Sequence, residues 1–358
     1  MGKSIVFTVT TDLTQDQRMQ RIAGTLAKAG FKVTLVGRSL PNSTPLTKQD
    51  FQQHRITCHF HKGPLFYLEY TIRLLFWLLG HRHDILGTID ADTAIAGIVA
   101  SWWQKIPMVY DAHELFPEMP EVVHRPLVRK VWAALEKWAF KRASLRYTVS
   151  ASLVQYFQET YQVPVHLIRN VPFRQEQIIP TKPVPYFIYQ GALNEGRGLE
   201  CTLEAMQNIP ATLVICGEGP LKPKLQELAT KLGVGEKVVF KGNVPPPQLA
   251  ELTKNAWAGI MLLENRGLSY YYSLANKFFD YVQAGIPQVC VPFPEYQLLN
   301  TQHEVALLAS TNVMEVRQAM LTLLHDHETY QRLQQNCLLA AQEWNWEQEG
   351  THLVMLYQ

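Results

Sequence analysis

The chain has 358 residues, of which 47% are hydrophobic and 18% charged, and its formal net charge is +2 at pH 7. This length allows two domains of ordinary size, and the composition predicts a folded chain with a buried core. The small net charge argues against a nucleic-acid binder whose affinity comes from phosphate neutralisation. The five cysteines form no CxxC pair and no metal-like spacing, so we interpret them as core residues in a reducing compartment.

The first half of the chain alternates short apolar runs with helical patterns. The run SIVFTVT begins almost at the first residue, so we expect no signal peptide and a cytoplasmic location. A helical pattern follows near 16–29. Strands are predicted at 4–10, 32–37, 84–90, 107–112, 145–150 and 165–170. Short apolar strands that alternate with helices predict a parallel sheet covered on both faces.

The same alternation begins again in the second half, which indicates a second domain of the same kind. Here the predicted strands are 186–191, 212–217, 238–242, 258–263 and 288–292. The stretch VPFRQEQIIPTKPVP (171–185) lies between the two series and contains four prolines, so it is the predicted linker. Ligands of doubly wound sheets bind beyond the carboxyl ends of the strands, and two such domains place a ligand cleft between them.

Two apolar segments of the first half have more than one interpretation. PLFYLEYTIRLLFWLLG (64–80) contains Glu69 and Arg73, which favour a buried amphipathic helix over a membrane-contacting one. In the basic and aromatic segment 124–142 a core stripe is predicted at Val128, Val131, Leu135, Trp138 and Ala139. Contact of either segment with an anionic bilayer remains the alternative, and it would fit a lipid-linked acceptor.

Glycines follow several predicted strands of the second half. YQGALNEGRGL (189–199) has free amides at a helix start and one guanidinium, a combination that suits a phosphate. VICGEGPLKPKL (214–225) and KGNVP (241–245) are two further glycine turns. In SLANKFFDYVQAGIP (273–287), Asn276 could cap a helix while Lys277 pairs with Asp280. Alternatively Lys277 binds a phosphate and Asp280 a diol, and spacing alone leaves both interpretations open.

Four of these segments, in this order, resemble the second domain of the retaining family-four glycosyltransferases, which have the two-domain GT-B fold. The segments are GALNEGRG (191–198), VICGEGP (214–220), VVFKG (238–242) and NKFFDYVQAGIP (276–287). In the first half, YDAHELFP (110–117), LEKWAFKRAS (135–144), YTVS (147–150) and RNV (169–171) are similar to further motifs of that family. Residues 343–358 resemble its last helix, which crosses back to the first domain.

The resemblance implies two Rossmann-like domains that face a cleft. Residues 1–172 with the crossover helix 343–358 would form the acceptor-side domain, and 173–342 the nucleotide-sugar donor domain. Arg197 and Lys277 would hold the donor diphosphate, Asp280 the ribose hydroxyls, and His113 would face the sugar. The other donor-binding positions would be Gly191, Gly217, Lys241, Gly242, Asn243, Val244, Leu268 and Ser269, with the backbone of 241–244 against the base.

The sequence departs from the family pattern at several positions. Ala192 stands where the family often has a second arginine, so we expect Lys277 to substitute for it. Tyr272 stands where a glutamate usually contacts the sugar, and Asp280 replaces a second glutamate. The loop after the first strand lacks the frequent glycine pair, which leaves Asp16 and Arg18 as candidate acceptor-side groups.

The resemblance implies a retaining transferase that moves a sugar from a UDP- or GDP-type donor to a carbohydrate or lipid-linked acceptor, in surface polysaccharide or glycolipid synthesis. We expect no cofactor and no metal, since the leaving diphosphate can be stabilised by cations and helix-start amides. The acceptor hydroxyl would attack from the leaving-group face, with the diphosphate as base. Ala192 and Tyr272 keep open a nucleotide-sugar-binding protein without transferase activity. A dinucleotide oxidoreductase is disfavoured because residues 8–18 contain no glycine.

Overall fold

The computed structural model describes residues 2–14, 16–176 and 185–358. Most of the predicted linker, residues 177–184, lies outside the described residues. The chain divides into two compact units. The first comprises Met1–Asn170 with Glu349–Gln358, and the second comprises Val171–Gln348.

The first unit is built on a parallel sheet with the strand order β3-β2-β1-β4-β5-β6-β7. The strands are β1 (Ser4–Thr8), β2 (Lys32–Ser39), β3 (Gln52–Thr57), β4 (Ile85–Ile89), β5 (Met108–Ala112), β6 (Leu145–Thr148) and β7 (His166–Leu167). The helices are α1 (Gln17–Lys28), α2 (Gly63–Gly80), α3 (Asp90–Gln104), α4 (Pro120–Val123), α5 (Pro126–Arg142) and α6 (Ala151–Tyr161). Strands β1 to β3 are added toward one edge of the sheet, and strands β4 to β7 toward the other. The topological switch point of this doubly wound sheet therefore lies between β1 and β4.

The second unit repeats this design with the strand order β10-β9-β8-β11-β12-β13, again all parallel. Its strands are β8 (Tyr186–Gln190), β9 (Thr212–Cys216), β10 (Val238–Gly242), β11 (Ala258–Met261), β12 (Gln288–Cys290) and β13 (Ala306–Leu308). Its helices are α7 (Leu199–Ala205), α8 (Lys222–Lys231), α9 (Pro246–Asn255), α10 (Leu268–Tyr271), α11 (Asn276–Gln283), α12 (Pro294–Gln302), α13 (Val313–His325) and α14 (His327–Glu343). The last helix, α15 (Trp346–Tyr357), begins in the second unit and ends in the first. The prediction of two doubly wound parallel sheets is confirmed.

Strand register shows which helices cover which face of the first sheet. Val6 of β1 is aligned with Leu86 of β4, and Leu86 with Met108 of β5, so these side chains share a face. That face packs against α2 and α3, and further along it Tyr110 contacts Phe140 of α5. On the opposite face the ring of Phe7 meets that of Tyr357 in α15. The helices α2, α3 and α5 therefore form one layer.

Two strands were not predicted from sequence. The run QQHRIT of β3 pairs only with β2 at the sheet edge, and most of its side chains are not buried. Such a strand carries no apolar run. β13 has only three residues, one of them buried, which is too short for an alternation to be recognised.

The apolar helices expose more surface than the sequence interpretation expected. In α2 the buried stripe is Phe66, Tyr70, Leu74 and Leu78, and the opposite side of the helix is largely exposed. The core stripe predicted for 124–142 is wrong at Val128, Val131 and Trp138, which are exposed. Instead α5 buries Glu136, Ala139 and Phe140. No helix among the described residues has the length and apolarity needed to cross a bilayer.

The buried face of α5 contains a carboxyl group, which explains why periodicity failed there. Glu136 is 1% exposed and accepts a 2.5 Å hydrogen bond from the Tyr161 hydroxyl of α6. Burial raises the pKa of Glu136 to about 8, so the carboxyl group is neutral near pH 7 and behaves as a hydrogen-bonding core residue. The pattern of apolar residues therefore marked the wrong side of this helix.

The turn after β9 brings two backbones into direct contact. Gly217 has φ 149°, and a Cβ placed there would lie 1.9 Å from the carbonyl oxygen of Gly191. We expect Gly217→Ala to reduce the free energy of unfolding by at least about 3 kcal/mol, because backbone atoms cannot yield as a side chain can. Gly233→Ala is the matched control, since Gly233 also has a positive φ but open space around it, and about 1 kcal/mol is expected there. Urea denaturation measures both, and equal losses would contradict this account.

Candidate active site

The loops after three neighbouring strands of the second unit are joined by backbone hydrogen bonds. The amide of Gly191 after β8 donates to Cys216 of β9, and the amide of Gly217 donates to Gly242 at the end of β10. Leu193 donates to Glu218 at 2.9 Å. The carboxyl edge of this sheet is consequently a continuous and rigid backbone surface, the place where ligands of such sheets bind.

The loop after β11 is attached to the same edge. The amide of Glu264 donates to the carbonyl of Gly196. Gly198 has φ 65°, and a Cβ there would approach the Cβ of Leu262 to 2.6 Å. Only glycine allows this approach of the loop after β8 to the loop after β11. Since β8 and β11 flank the switch point of the second sheet, both loops border its crevice.

Lys277, in the first turn of α11, is the principal cation at this edge. Its side chain is buried, with 8% of the residue exposed, and its Nζ lies 4.0 Å from the centre of the Tyr189 ring. Among the described residues no carboxylate pairs with it. Burial, reinforced by the positive charge of Arg197, lowers the pKa of Lys277 to about 7. A buried amine held in this way gains its charge most readily when an anion arrives.

Arg197 is the second cation. Its guanidinium lies over the ring of Tyr270, 5.2 Å from the ring centre. Its Nε is buried and has no hydrogen-bond partner within the part of the chain that the structure describes. The electrostatic coupling to Lys277 shows that the two cations act on the same region. A buried donor without an acceptor is costly, so the Arg197 guanidinium retains the capacity to bind an external acceptor.

Asp280 lies one turn further along α11 and is fixed by the strand below it. Its Oδ2 accepts a 2.7 Å hydrogen bond from Gln190, the last residue of β8. The side-chain amide oxygen of Gln190, Oε1, in turn accepts from the hydroxyl of Thr253 in α9 at 2.8 Å. This relay orients the carboxylate at the carboxyl edge of the sheet. A carboxylate held there can accept hydrogen bonds from two hydroxyls of a diol.

The structure decides two questions about SLANKFFDYVQAGIP. Lys277 and Asp280 do not pair with each other, because Lys277 lies on Tyr189 and Asp280 is bound to Gln190. The prediction that Asn276 caps the helix is wrong. The capping position is Ala275, whose backbone amide donates to the Tyr296 hydroxyl, and Asn276 is an exposed helix residue.

The remaining predicted donor positions lie on the same unit. Gly191 and Gly217 form the hydrogen-bonded turns, and Gly242 is buried beside the exposed Lys241 and Asn243, while Val244 is half-buried. Leu268 and Ser269 are half-buried in the short helix α10. The two departures from the family pattern are at this edge too: Ala192 is exposed, and Tyr272 is half-buried at the end of α10.

His113 follows β5 in the first unit and belongs to a compact polar cluster. Its Nε2 lies 2.8 Å from Asp111, and its backbone amide donates to Asp90 at 2.7 Å. Arg18 binds the same Asp111 carboxylate through two nitrogens, at 3.0 and 3.2 Å. Burial opposes a charge on His113, but the carboxylates of Asp111 and Asp90 outweigh it and raise the pKa of His113 to about 9. The imidazole is thus a cationic group at neutral pH.

The acidic members of this cluster were missed in the sequence. Asp90 directly follows β4, at the switch point of the first sheet, and has φ 56°, a backbone conformation that is rare outside glycine. Asp92, two residues further along the chain, accepts a hydrogen bond from Thr10 in the loop after β1. Burial raises the pKa of both, that of Asp92 to about 6. The signal was the run DAD (90–92), which begins at the last residue of the predicted strand 84–90.

The two candidate acceptor-side groups have structural roles instead. The Asp16 carboxylate caps α1 by accepting from the amide of Met19. Arg18 is 4% exposed and is held by Asp111 and by the carbonyl of Ile168. Both side chains are therefore hydrogen-bonded within the first unit. Among the residues described, no group of three or more His, Cys, Asp or Glu side chains is placed to hold a metal ion.

Two doubly wound parallel sheets, with cations on glycine-rich strand ends, define an α/β protein of the GT-B class. Two adjacent family models match the chain. The description "Glycosyl transferase 4-like domain" matches residues 15–173 and "Glycosyl transferases group 1" matches residues 172–338. The chain belongs to the group 1 glycosyltransferases. A search of curated proteins returned no match.

Solved structures share the fold over nearly the whole chain. Sucrose-phosphate synthase from Thermosynechococcus elongatus has a TM-score of 0.83 at 17% identity, with 99% of this chain and 98% of that one covered. HepE from Anabaena in complex with UDP-glucose has a TM-score of 0.75 at 15% identity, with 99% and 98% covered. WaaG, a glycosyltransferase involved in lipopolysaccharide biosynthesis, has 0.72 at 16%, with 98% and 99% covered. At these identities the likeness shows the fold.

The depressed pKa of Lys277 predicts whether the free energy of unfolding rises or falls with pH. Between pH 7 and the ordinary value of 10.5 the unfolded chain holds a proton that the native amine lacks, so stability rises with pH across that window. We expect Lys277→Met to raise the free energy of unfolding by roughly 2 kcal/mol or more near pH 7, and by less near pH 10. Urea denaturation at the two pH values measures this. A variant less stable than the parent at both would contradict the buried, unpaired state of Lys277.

Proposed function

We propose that this glycosyltransferase moves a sugar from a nucleotide-diphosphate sugar to an acceptor hydroxyl with retention at the anomeric carbon, without a metal ion. The donor is of the UDP or GDP type, and the acceptor is a carbohydrate or lipid-linked molecule of surface polysaccharide or glycolipid synthesis. The observation that carries the proposal is the pair Lys277 and Arg197 on the carboxyl edge of the second sheet. Membership of the family supports sugar transfer, and Lys277 and Arg197 support a diphosphate-containing donor.

The leaving group of this reaction is a nucleoside diphosphate, whose negative charge grows as the bond to the sugar breaks. Lys277 and Arg197 meet that charge from a rigid, largely buried edge, where electrostatic stabilisation is stronger than in water. Because neither cation is neutralised by a carboxylate among the residues the structure describes, both are available to the diphosphate. In this proposal the two side chains take the role that a metal ion would otherwise have.

The nucleoside end of the donor fits the neighbouring groups. Asp280, oriented by Gln190, accepts the two ribose hydroxyls in this proposal. The base lies against the backbone of 241–244, beside the turns of Gly191 and Gly217. A UDP-type donor is supported by the structure of HepE, which was determined with UDP-glucose. Leu268 and Ser269 border the sugar in the same arrangement.

In this proposal His113 contacts the donor sugar. Its ring is held by Asp111 and its backbone by Asp90, so its orientation is set before a substrate binds. A cationic imidazole donates hydrogen bonds from both nitrogens. In retaining transfer the acceptor hydroxyl approaches on the leaving-group face, and the departing diphosphate takes its proton. The role of His113 is then to orient the sugar.

The proposal includes a place of action. The protein works in the cytoplasm, at the inner face of the membrane, where a lipid-linked acceptor is presented. It requires no cofactor beyond the nucleotide-sugar donor. The alternative is a protein that binds a nucleotide sugar without transferring it, and Ala192 and Tyr272 are the positions that favour this alternative.

Removing either cation is expected to abolish turnover while the fold survives. For Arg197→Ala and Lys277→Ala we expect kcat/KM to fall by at least about a hundredfold, as when one transition-state donor is lost. The assay follows nucleoside diphosphate release across a panel of UDP-, GDP-, ADP- and dTDP-sugars. Lys224→Ala, an exposed lysine of the same unit, is the matched control. Unchanged turnover in both variants would contradict the assignment of Arg197 and Lys277 to the donor diphosphate. If the parent binds a donor but releases no nucleoside diphosphate, the non-transferring alternative is favoured.

Donor binding should also be coupled to proton uptake. At pH 8 most of the Lys277 amine is neutral, and a diphosphate beside it restores its usual pKa. We therefore expect UDP binding at pH 8 to take up close to one proton, measured by titration calorimetry in buffers of different ionisation enthalpy. Lys277→Met should remove this uptake and Lys224→Met should not. If UDP binding to Lys277→Met still takes up a proton, a group other than Lys277 binds that proton.

A further inference from the structure

The layer formed by α2, α3 and α5 presents large apolar side chains to solvent. On α2 an outer stripe lies opposite the buried one and consists of Leu65, Leu68, Ile72, Phe76 and Leu79, of which Phe76 is 72% exposed. The spacing of these residues keeps them on one side of the helix over about 21 Å. We call the exposed side of α2, α3 and α5 the outer helical face.

The outer side of α5 combines apolar and basic residues. Leu127, Val131 and Trp138 are 77%, 57% and 47% exposed, and their spacing places them on one side of the helix. The exposed Lys130, Lys137 and Lys141 form a second row beside them. Within the described chain these lysines form no ion pair. An apolar stripe flanked by lysines is the arrangement of helices that lie in a membrane interface.

The end of α3 adds aromatic residues to the outer helical face. Trp102 and Trp103 are 68% and 70% exposed. They line an open groove with Lys105 and with Arg142 at the end of α5. Indole rings beside basic side chains are favoured at the level of lipid headgroups, where one part is apolar and the other wet.

The acidic side chains of α2 and α5 do not offset this positive charge. Glu69 of α2 is paired with Arg73 and also binds His59. Glu136 of α5 is buried against Tyr161. The outer helical face is therefore both apolar and basic, although the whole chain carries a net charge of only +2. The charge is concentrated where the exposed apolar side chains are.

We propose that the outer helical face binds the surface of an anionic lipid bilayer. Each lysine near such a surface is attracted to its headgroups, while the apolar stripes enter the boundary between headgroups and acyl chains. A second copy of the chain is a poorer occupant, because a two-fold interface would bring the lysine row against itself. The inference deepens the membrane location in the proposed function and rests on it, since a lipid-linked acceptor is confined to the same surface.

Co-flotation with vesicles tests the proposal on the full chain. The protein is mixed with phosphatidylcholine vesicles that either contain or lack phosphatidylglycerol. We expect the parent to float with the anionic vesicles and to be released by salt. Combined Lys130→Glu, Lys137→Glu and Lys141→Glu changes should reduce the partition coefficient at least about tenfold. The control changes Lys28, Lys224 and Lys231 to Glu, which alters the net charge equally at exposed sites elsewhere.

A second pair of variants tests the apolar contribution. Phe76→Ser with Trp103→Ser should also weaken flotation at least about tenfold, while Met314→Ser with Leu339→Ser, exposed residues of the second unit, should not. Thermal unfolding of each variant establishes that it is folded.

Three results would overturn the inference: a parent chain that ignores anionic vesicles, equal losses in the two lysine sets, or a dimer in solution that Phe76→Ser dissociates. Release of UDP from a soluble donor requires no vesicles. A chain that transfers sugar without floating contradicts this inference and the membrane location, but not the proposed sugar transfer. One that floats but binds no nucleotide sugar of the panel contradicts the proposed transfer, but not this inference.

Discussion

The second unit depends on holding two cations near each other without a carboxylate partner among the residues that the structure describes. Lys277 and Arg197 repel one another, and burial strengthens that repulsion. Aromatic rings, Tyr189 beneath the amine and Tyr270 beneath the guanidinium, supply a partial attraction that leaves the charges available. The interlocked loops after β8, β9 and β10 keep the edge from collapsing onto them. Binding of a diphosphate, as in the proposed function, would recover the stability given up in the free protein.

The first unit solves a similar problem in the opposite way. At the carboxyl edge of its sheet the positive groups Arg18 and His113 are matched by Asp111 and Asp90. Such a compensated cluster orients its members in the absence of ligand, because each hydrogen bond restricts the next. It has little charge left to attract an anion. The two sheets, alike in topology, therefore suit different tasks: one fixes the direction of a ring, and the other accommodates a change in charge.

The sequence predicted those features that arise from local repetition. The apolar strands other than the three-residue β13, the helices between them and the glycine turns after β8, β9 and β10 were identified, because each leaves a pattern within a few residues. The strand β3 was not, since an edge strand needs little apolar surface. The side of α5 that faces the core was assigned wrongly because both sides carry apolar residues and the buried one includes Glu136. The position of Lys277 on Tyr189, and of Asp280 on Gln190, depends on residues about 90 positions away in the chain, beyond what spacing can report.

The neutral carboxyl group of Glu136 has a consequence for the molecule as a whole. Its pKa is raised to about 8, so the folded first unit retains a proton that the unfolded chain releases above its ordinary value of 4.5. The first unit therefore loses stability as the pH rises through that window. The amine of Lys277 has the reverse effect on the second unit. The Glu136 contribution falls as the pH rises from 4.5 to about 8, whereas the Lys277 contribution rises between about pH 7 and 10.5. The two buried groups therefore give the two units pH dependences of opposite sign.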